Sequence, residues 1–214
     1  MTNPIRFYGR RKGRALSQYQ QALLAEMLPQ LSVTTDTFKA NKLYLEIGFG
    51  GGEHLAHQAS LFPETTFIGC EPFLNGVVSL LTHIRQGTQS NIRIFHGDVR
   101  LLLSELPDAV LDKVFILYPD PWPKARHGKR RIIQVEFIRA LLPKLKPNAK
   151  LIIATDDEAY AEHIKAVFAQ SPEFIGDTSS IPPDNWVRTR YEARAKRLGN
   201  TSYYFIFDKL SIVC

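Results

Sequence analysis

An alternation of short apolar runs with amphipathic segments, repeated five times, is the feature that most constrains the fold of this chain. The runs have the length of buried strands, and glycine, proline or acidic residues follow each of them. The predicted strands lie at 43–47, 65–71, 91–98, 112–120 and 149–157, and the predicted helices at 53–62, 73–87, 99–106, 131–145 and 158–170. Strands that alternate with helices through short connections favour an α/β fold, with a mostly parallel sheet and helices on both faces.

Two further segments flank this pattern. Residues 16–31 have apolar residues at helical spacing, with Ser17 as the predicted N-cap, and residues 201–210 form a late strand that we expect to be antiparallel. The fourth strand is apolar throughout, which is typical of a central position in a sheet. The length of 214 residues indicates a single domain, 1–214, with a basic N-terminal tail at about 1–15.

Charge and cysteine usage narrow the class of protein. Lys and Arg outnumber Asp and Glu by 27 to 21, and basic clusters lie in the first fourteen residues, at 124–131 and at 188–197, which suggests a polyanionic partner. The two cysteines are too few for a disulfide framework and indicate a reducing, cytoplasmic location. No apolar run reaches the ~18 residues of a membrane helix, and no apolar segment follows the basic N-terminus. We therefore expect neither a membrane segment nor a signal peptide.

Acidic residues stand at the ends of all five predicted strands. The carboxyl ends of parallel strands meet at one edge of a sheet, and ligands bind there where the strand order switches. We expect at least three of these acids to line one site. They are Glu46, Glu71, Asp98, Asp120 and Asp156.

The turn after the first strand, "EIGFGGGE", predicts the kind of ligand. The dinucleotide fingerprint needs a glycine at position 53, where this chain has Glu53, and an acid there disfavours a pyrophosphate. A cationic ligand without phosphate, such as S-adenosyl-L-methionine, suits the acids better. Glu71 is then expected to accept the ribose hydroxyls, and Asp98 to hydrogen-bond the adenine amino group or the backbone next to it. The alternative is that the glycines only form a tight turn.

The stretch "LYPDPWPKARHGKRR" combines a rigid acidic turn with a basic block. Three prolines fix the backbone around Asp120, at the point where a reacting base would be placed. We interpret Lys124 to Arg131 as a phosphate clamp, since cations at the start of the predicted helix would oppose the helix dipole. The sequence leaves open whether Trp122 stacks on a base or anchors the loop.

With these motifs, the chain resembles the bacterial tRNA (guanine-N7-)-methyltransferases of the TrmB type. The similarity covers nearly the whole chain and rests on "EIGFGGGE", "PDPWPKARHGKRR", "TDDEAYA" and "TRYEARAKRLG". Tyr118 stands where the family usually has phenylalanine, and Pro72 and Phe73 follow Glu71 where many members have other residues. The second departure affects the expected packing of the adenine.

The resemblance implies a class I S-adenosyl-L-methionine-dependent methyltransferase with a Rossmann-like fold. It implies methylation of N7 of guanosine 46 in the variable loop of tRNA, with Asp120 as the catalytic residue. The implied cofactor contacts are Glu46, Gly48, Gly50, Glu71, Asp98 and Asp120. The implied contacts to the target guanosine or its flanks are Lys124, Asp156, Thr189, Arg190, Tyr191 and Glu192. The implied contacts to the tRNA backbone include His127, Lys129, Arg130 and Arg131.

The residues leave two other functions open. "PDPW" is superficially similar to the proline-aromatic loop of enzymes that methylate exocyclic amines, and a non-catalytic RNA-binding module on a Rossmann-like fold is the other alternative. Without the resemblance, "TRYE" would be interpreted as the start of an amphipathic helix. We expect no metal site, because the chain has two distant cysteines and no paired-histidine motif, and either a monomer or a homodimer.

Overall fold

The protein is described here by a computed structural model. It describes Gly9 and residues 13–87, 89–187 and 189–211, without the side chains of Ala125 and Tyr191. The basic tail predicted at 1–15 lies largely outside the described residues.

Seven strands form one sheet in the order β3-β2-β1-β4-β5-β7-β6. Neighbours from β3 to β5 are parallel, and β7 pairs antiparallel with β5 and β6, as expected for the late strand. The apolar β4 lies between β1 and β5, so its predicted central position is confirmed. The strands are β1 (Leu43–Ile47), β2 (Thr66–Cys70), β3 (Ile92–Phe95), β4 (Leu111–Leu117), β5 (Leu145–Thr155), β6 (Phe174–Ser179) and β7 (Tyr203–Lys209).

Helices cover both faces of the sheet. One core cluster joins the sheet to α1, α2 and α3, and the other joins it to α4, α5 and α6. Ser17 caps α1 and forms a capping box with Gln20, which confirms the predicted N-cap. The helices are α1 (Gln18–Leu31), α2 (Glu53–Leu61), α3 (Leu74–Gln86), α4 (Val99–Glu105), α5 (Val135–Leu141), α6 (Glu158–Phe168) and α7 (Arg190–Arg197). In the described part of the chain, no helix is long and apolar enough to span a membrane.

The structure corrects the prediction for the basic block. Helix α5 begins at Val135 rather than Arg131, and the block forms a separate 3-10 helix at Ala125–Arg130. The intervening chain is held against α6, because the backbone N–H of Ile133 donates to the Tyr160 hydroxyl at 3.2 Å. The cations therefore do not lie at the start of α5, and the prediction that they oppose its helix dipole is wrong.

Strand β6 was not predicted either. Its sequence FIGDTS has no sustained alternation, and most of its side chains are exposed or half-buried at the edge of the sheet. An edge strand buries little apolar surface, so the sequence carries a weak signal for it.

Candidate active site

The glycine turn after β1 lies at the carboxyl end of that strand and packs closely against the backbone of α3. Gly48 and Gly50 have left-handed backbone angles, with φ of 70° and 56°, which glycine adopts without steric cost. A side chain on Gly76 in α3 would overlap the carbonyl oxygen of Gly50. By contrast, a Cβ on Gly48 would meet no atom within 4 Å, so the space beside that residue is open to a ligand.

Glu71 follows β2 and braces this turn. Its two carboxylate oxygens accept the backbone N–H groups of Gly50 and Phe73, each at 2.8 Å. Each oxygen keeps a second lone pair, so the carboxylate can still accept two ligand hydroxyls. Burial raises the pKa of Glu71, the two backbone bonds oppose that shift, and the charges of Asp120 and Glu46 raise it further. The electrostatic effect indicates that these three acids lie near one another.

Glu46 is buried on β1, with 3% of its surface exposed. Its Oε2 lies 2.7 Å from Nδ1 of His54, the second residue of α2. The His54 ring packs edge-on against Phe115 at 4.9 Å. Glu46 thus lies on the buried side of the site, and its hydrogen-bond partner is a histidine with no role predicted from the sequence.

Asp98 has a structural role in addition to any ligand contact. It caps α4, where its carboxylate accepts the backbone N–H of Arg100 at 3.0 Å and pairs with the Arg100 guanidinium at 2.9 and 2.5 Å. Burial raises the pKa of Cys70, and the charges of Glu71 and Asp98 raise it further, so both acids flank the end of β2. Its contact with an adenine amino group stays a prediction.

Asp120 projects from a strained loop at the end of β4. Tyr118 and Trp122 on either side of it have positive φ angles of 50° and 45°, which are uncommon for residues other than glycine. The N–H of Tyr118 donates to the carbonyl of Ala154 at 2.7 Å and fixes the loop to β5. Asp120 is exposed and lines a cleft of about 220 Å³ together with residues 121–123.

The basic block packs against Trp122. The Arg130 guanidinium lies 4.9 Å from the Trp122 ring centroid, and the His127 ring lies edge-on at 5.8 Å. These contacts anchor the loop, which is one of the two roles left open by the sequence. The pKa of His127 is lowered by burial and by the neighbouring cations, so the ring favours its neutral form.

Arg131 holds the other side of the loop. Its Nε donates to the carbonyl of Pro121 at 2.8 Å, and its guanidinium lies 4.9 Å from the Tyr160 ring centroid. Lys124 and Lys129 are exposed. The four residues expected at the tRNA backbone therefore differ: Arg130, Arg131 and His127 also shape the loop, whereas Lys129 faces solvent.

A second cleft lies at the end of β5. It has a volume of about 320 Å³ and is lined by Asp156, Asp157, Glu158, Asn200, Thr201 and Tyr203. Asp156 accepts a hydrogen bond from the Asn200 amide at 3.4 Å, and Asp157 caps α6. Both aspartates line the cleft, but only Asp157 caps a helix, so the carboxylate of Asp156 is the more available one for a ligand.

Helix α7 contains most of the predicted "TRYE" run, and it begins as an amphipathic helix. Thr189 caps it by accepting the backbone N–H of Glu192 at 3.1 Å. Glu192 is buried and accepts the indole N–H of Trp186 at 2.6 Å. Burial raises the pKa of Tyr118, and the Glu192 charge raises it further, so Glu192 lies near the base of the Asp120 loop. The side chain of Tyr191 is outside the described part of the structure.

Arg190 lies across the glycine turn. Its Nε is 2.5 Å from a carboxylate oxygen of Glu53, and a side chain on Gly51 would overlap its guanidinium. Glu53, His54 and Trp186 are the site residues that the sequence did not assign. The contacts of Glu53 with Arg190 and of His54 with Trp186 join positions far apart in the chain, so no local spacing could have revealed these two contacts.

The arrangement fits S-adenosyl-L-methionine. Glu46, Glu71 and Asp120 place negative charge beside an open glycine turn, which suits a ribose and a cationic sulfur and disfavours a pyrophosphate. The open space at Gly48 lets the backbone approach such a ligand closely.

Comparison with known proteins agrees with this chemistry. A family model described as "Putative methyltransferase" matches residues 40–205. The tRNA (guanine-N(7)-)-methyltransferase of Caulobacter vibrioides (strain NA1000 / CB15N) is 46% identical over 215 residues, covering 95% of this chain and 94% of the relative. The protein of the same name from Zymomonas mobilis subsp. mobilis is 41% identical over 218 residues, covering 96% and 94%.

Solved structures share the fold at low identity. The 16S rRNA methyltransferase KamB matches with a TM-score of 0.60 and 14% identity over 82% of this chain and 91% of that chain. A variant of the 16S rRNA (adenine(1408)-N(1))-methyltransferase from Catenulisporales acidiphilia, with its cosubstrate SAM, matches with a TM-score of 0.58 and 16% identity over 84% and 91%. These matches support the predicted class I methyltransferase fold.

Proposed function

This chain belongs to the family of the bacterial tRNA (guanine-N7-)-methyltransferases, and we propose that it methylates N7 of guanosine 46 in the variable loop of tRNA. The methyl donor is S-adenosyl-L-methionine, which supplies an electrophilic methyl group on a positively charged sulfur. A tRNA substrate also agrees with the cytoplasmic location suggested by the cysteine usage.

One observation supports the assignment of residues most strongly. The charges of Glu46 and Asp120 both raise the pKa of Glu71 at the switch point of the sheet, and Asp120 also lines the cleft next to the basic block. Asp120 is therefore the acid with access to both ligands. Glu71 accepts the ribose hydroxyls, and Gly48 and Gly50 pack against the donor.

Methylation of N7 requires little acid–base catalysis from the protein. The N7 lone pair of guanine forms a bond to the methyl carbon, the carbon–sulfur bond breaks, and its electron pair goes to the sulfur. No proton leaves N7, so no strong general base is required. The guanine ring gains positive charge, which the Asp120 carboxylate stabilises, and alignment of the two reactants provides much of the remaining rate enhancement.

The target nucleotide is held from the other side of the cleft. Asp156 follows β5 and lines the second cleft, Thr189 caps α7, Glu192 lies in the first turn of that helix, and Lys124 is exposed at the start of the basic block. The tRNA backbone follows His127, Lys129, Arg130 and Arg131, and the positive charges of Lys129 and the two arginines neutralise phosphates.

Methylation of an unmodified tRNA transcript tests the proposal. The transcript is incubated with S-adenosyl-L-methionine, and N7-methylguanosine is mapped along the chain. A matched transcript with 7-deazaguanosine at position 46 lacks only the reacting nitrogen and should stay unmethylated.

The control transcript also separates the alternatives. An enzyme for exocyclic amines would still methylate the 7-deazaguanosine, since that base keeps its amino group. A non-catalytic module would bind tRNA and leave both transcripts unmodified. Either result would contradict the proposed function.

A further inference from the structure

Helix α2 carries a buried histidine that contacts both sides of the site. The Nδ1 of His54 lies 2.7 Å from the Glu46 carboxylate, on the cofactor side. Its ring centroid lies 5.2 Å from the Trp186 ring, and Trp186 donates its indole N–H to Glu192, on the base side. His54 therefore stands between two carboxylates that belong to different ligand sites.

The choice of histidine at this position has a physical reason. An ionised carboxylate only accepts hydrogen bonds, so Nδ1 carries the proton in the bond to Glu46. The other nitrogen, Nε2, is buried and has no hydrogen-bond partner among the described residues. A phenylalanine ring would pack against Phe115 and Trp186 without an unpaired buried nitrogen. The N–H that meets Glu46 is thus the feature that requires histidine.

The start of α7 and the residues just before it are attached to the same helix at three points. The Gln58 amide donates to the carbonyl of Asn185 at 2.7 Å, His54 contacts Trp186, and Glu53 pairs with Arg190. Helix α2 begins directly after the glycine turn, with Gly52 as its N-cap. The position of the base-side segment is therefore tied to the element that forms the cofactor turn.

We propose that His54 is a positioning residue for both ligands. Its N–H holds the Glu46 carboxylate in the cofactor site, and its ring holds Trp186, which in turn orients Glu192 toward the target guanosine. This inference rests on the proposed function, because it takes Glu46 and Glu192 as ligand contacts. The two roles belong to different parts of one side chain, so they can be separated by substitution.

Two substitutions separate the nitrogen from the ring. His54→Phe keeps the ring and removes the N–H, so S-adenosyl-L-methionine affinity should fall about tenfold, while the single-turnover rate on tRNA at saturating donor stays within about threefold. His54→Asn places an amide N–H near the Nδ1 position and removes the ring. Donor affinity should then stay within about threefold, and the single-turnover rate should fall about tenfold.

The neighbouring His57 provides a matched control. It lies on the same helix and is half-buried, without a side-chain hydrogen bond among the described residues. The same two substitutions there should leave donor affinity and single-turnover rate unchanged. Trp186→Phe tests the second link, since it keeps a ring beside His54 and removes the N–H that Glu192 accepts. Only the single-turnover rate should fall in that variant.

Several results would overturn the proposal. They are equal effects of His54→Phe and His54→Asn on donor affinity, no effect of either, or a normal rate in Trp186→Phe. If His54→Phe does not fold, weakened donor binding in His54→Asn would by itself overturn the proposal. Donor affinity is measured by calorimetry without tRNA. A wild-type protein that fails to methylate N7 would therefore refute the proposed function, while a loss of affinity in His54→Phe would still support the contact to Glu46.

Discussion

The cofactor side and the base side of the site lie at one edge of the same sheet but are built differently. On the cofactor side, backbone groups make the decisive contacts, as in the two N–H groups that Glu71 accepts from Gly50 and Phe73. On the base side, side chains from distant segments hold one another, as in Trp186 with His54 and Arg190 with Glu53. Strand register fixes the first arrangement, whereas tertiary packing fixes the second.

This difference predicts how substitutions act. A residue on the cofactor side should affect donor binding directly, because its neighbours are positioned by the sheet. A residue on the base side should act partly through other side chains, so its effects should depend on what stands next to it. Asp120 lies where the two sides meet.

Asp120→Asn should give the largest effect. The amide has the shape of the carboxylate but cannot offset the positive charge that grows on the guanine ring. We expect the single-turnover rate to fall by about 10²–10³-fold with much of both ligand affinities retained. Saturating enzyme and donor separate this rate from weaker binding.

A near-normal single-turnover rate in Asp120→Asn would move the catalytic role elsewhere, with Asp156 as the next candidate. A variant that lost only donor affinity would make Asp120 a cofactor contact alone. Asp108→Asn is a suitable control, since that acid pairs with Lys144 on the surface, away from both clefts.

Deletion of residues 1–12 should affect the base side only. The segment contains Arg6, Arg10, Arg11 and Lys12 and no acid. Each phosphate contact contributes about 0.9 to the slope of log affinity against log salt concentration. If all four cations contact phosphates, the full-length protein should lose up to about two orders of magnitude more tRNA affinity than the shortened protein between roughly 50 and 200 mM salt. The measurement is tRNA affinity as a function of salt concentration.

The deletion keeps Gly13 and Arg14, which hydrogen-bond to the Asn75 side chain at 2.9 Å each. Donor affinity should therefore be unchanged. An identical salt dependence in the shortened protein would show that this segment does not contact the phosphates.

Glu71→Ala should affect the cofactor side by about tenfold or more, since a hydrogen bond to a charged group contributes about 1.5–3 kcal/mol. The backbone N–H groups of Gly50 and Phe73 also lose their acceptor, so thermal stability should fall as well. Calorimetry with S-adenosyl-L-methionine and a thermal unfolding curve measure the two effects. Unchanged donor affinity would show that the end of β2 is not the ribose site.

The same difference explains what the sequence could predict. Five strands, their parallel direction and the acids at their ends follow from local patterns and their alternation with helices, because a buried strand and its terminal turn are encoded within about ten residues. The bond between Glu46 and His54 also lies within one strand–turn–helix unit, yet it could not be predicted, since a buried histidine leaves no periodic signal.

The base side could be predicted only through resemblance to a family. Thr189 and Glu192 form an N-cap pair that any helix start could carry, and nothing local connects Trp186 to α2. The basic block was assigned to the wrong helix for the same reason. Its position depends on Arg131 reaching Pro121 and Tyr160, which are tertiary contacts.

The smallest expected effect concerns Glu53 and Arg190, and it tests whether Arg190 acts directly. The pair is partly exposed, with 64% of the Arg190 side chain accessible, so we expect a coupling of about 0.2–1 kcal/mol, or at most about a fivefold change in tRNA affinity. Glu53→Gln, Arg190→Gln and the double variant complete a double-mutant cycle. If Arg190 acts through Glu53, Arg190→Gln should have no further effect once Glu53→Gln is present. If the two effects add instead, Arg190 contacts the tRNA itself, and the base side is less dependent on its neighbours than the structure suggests.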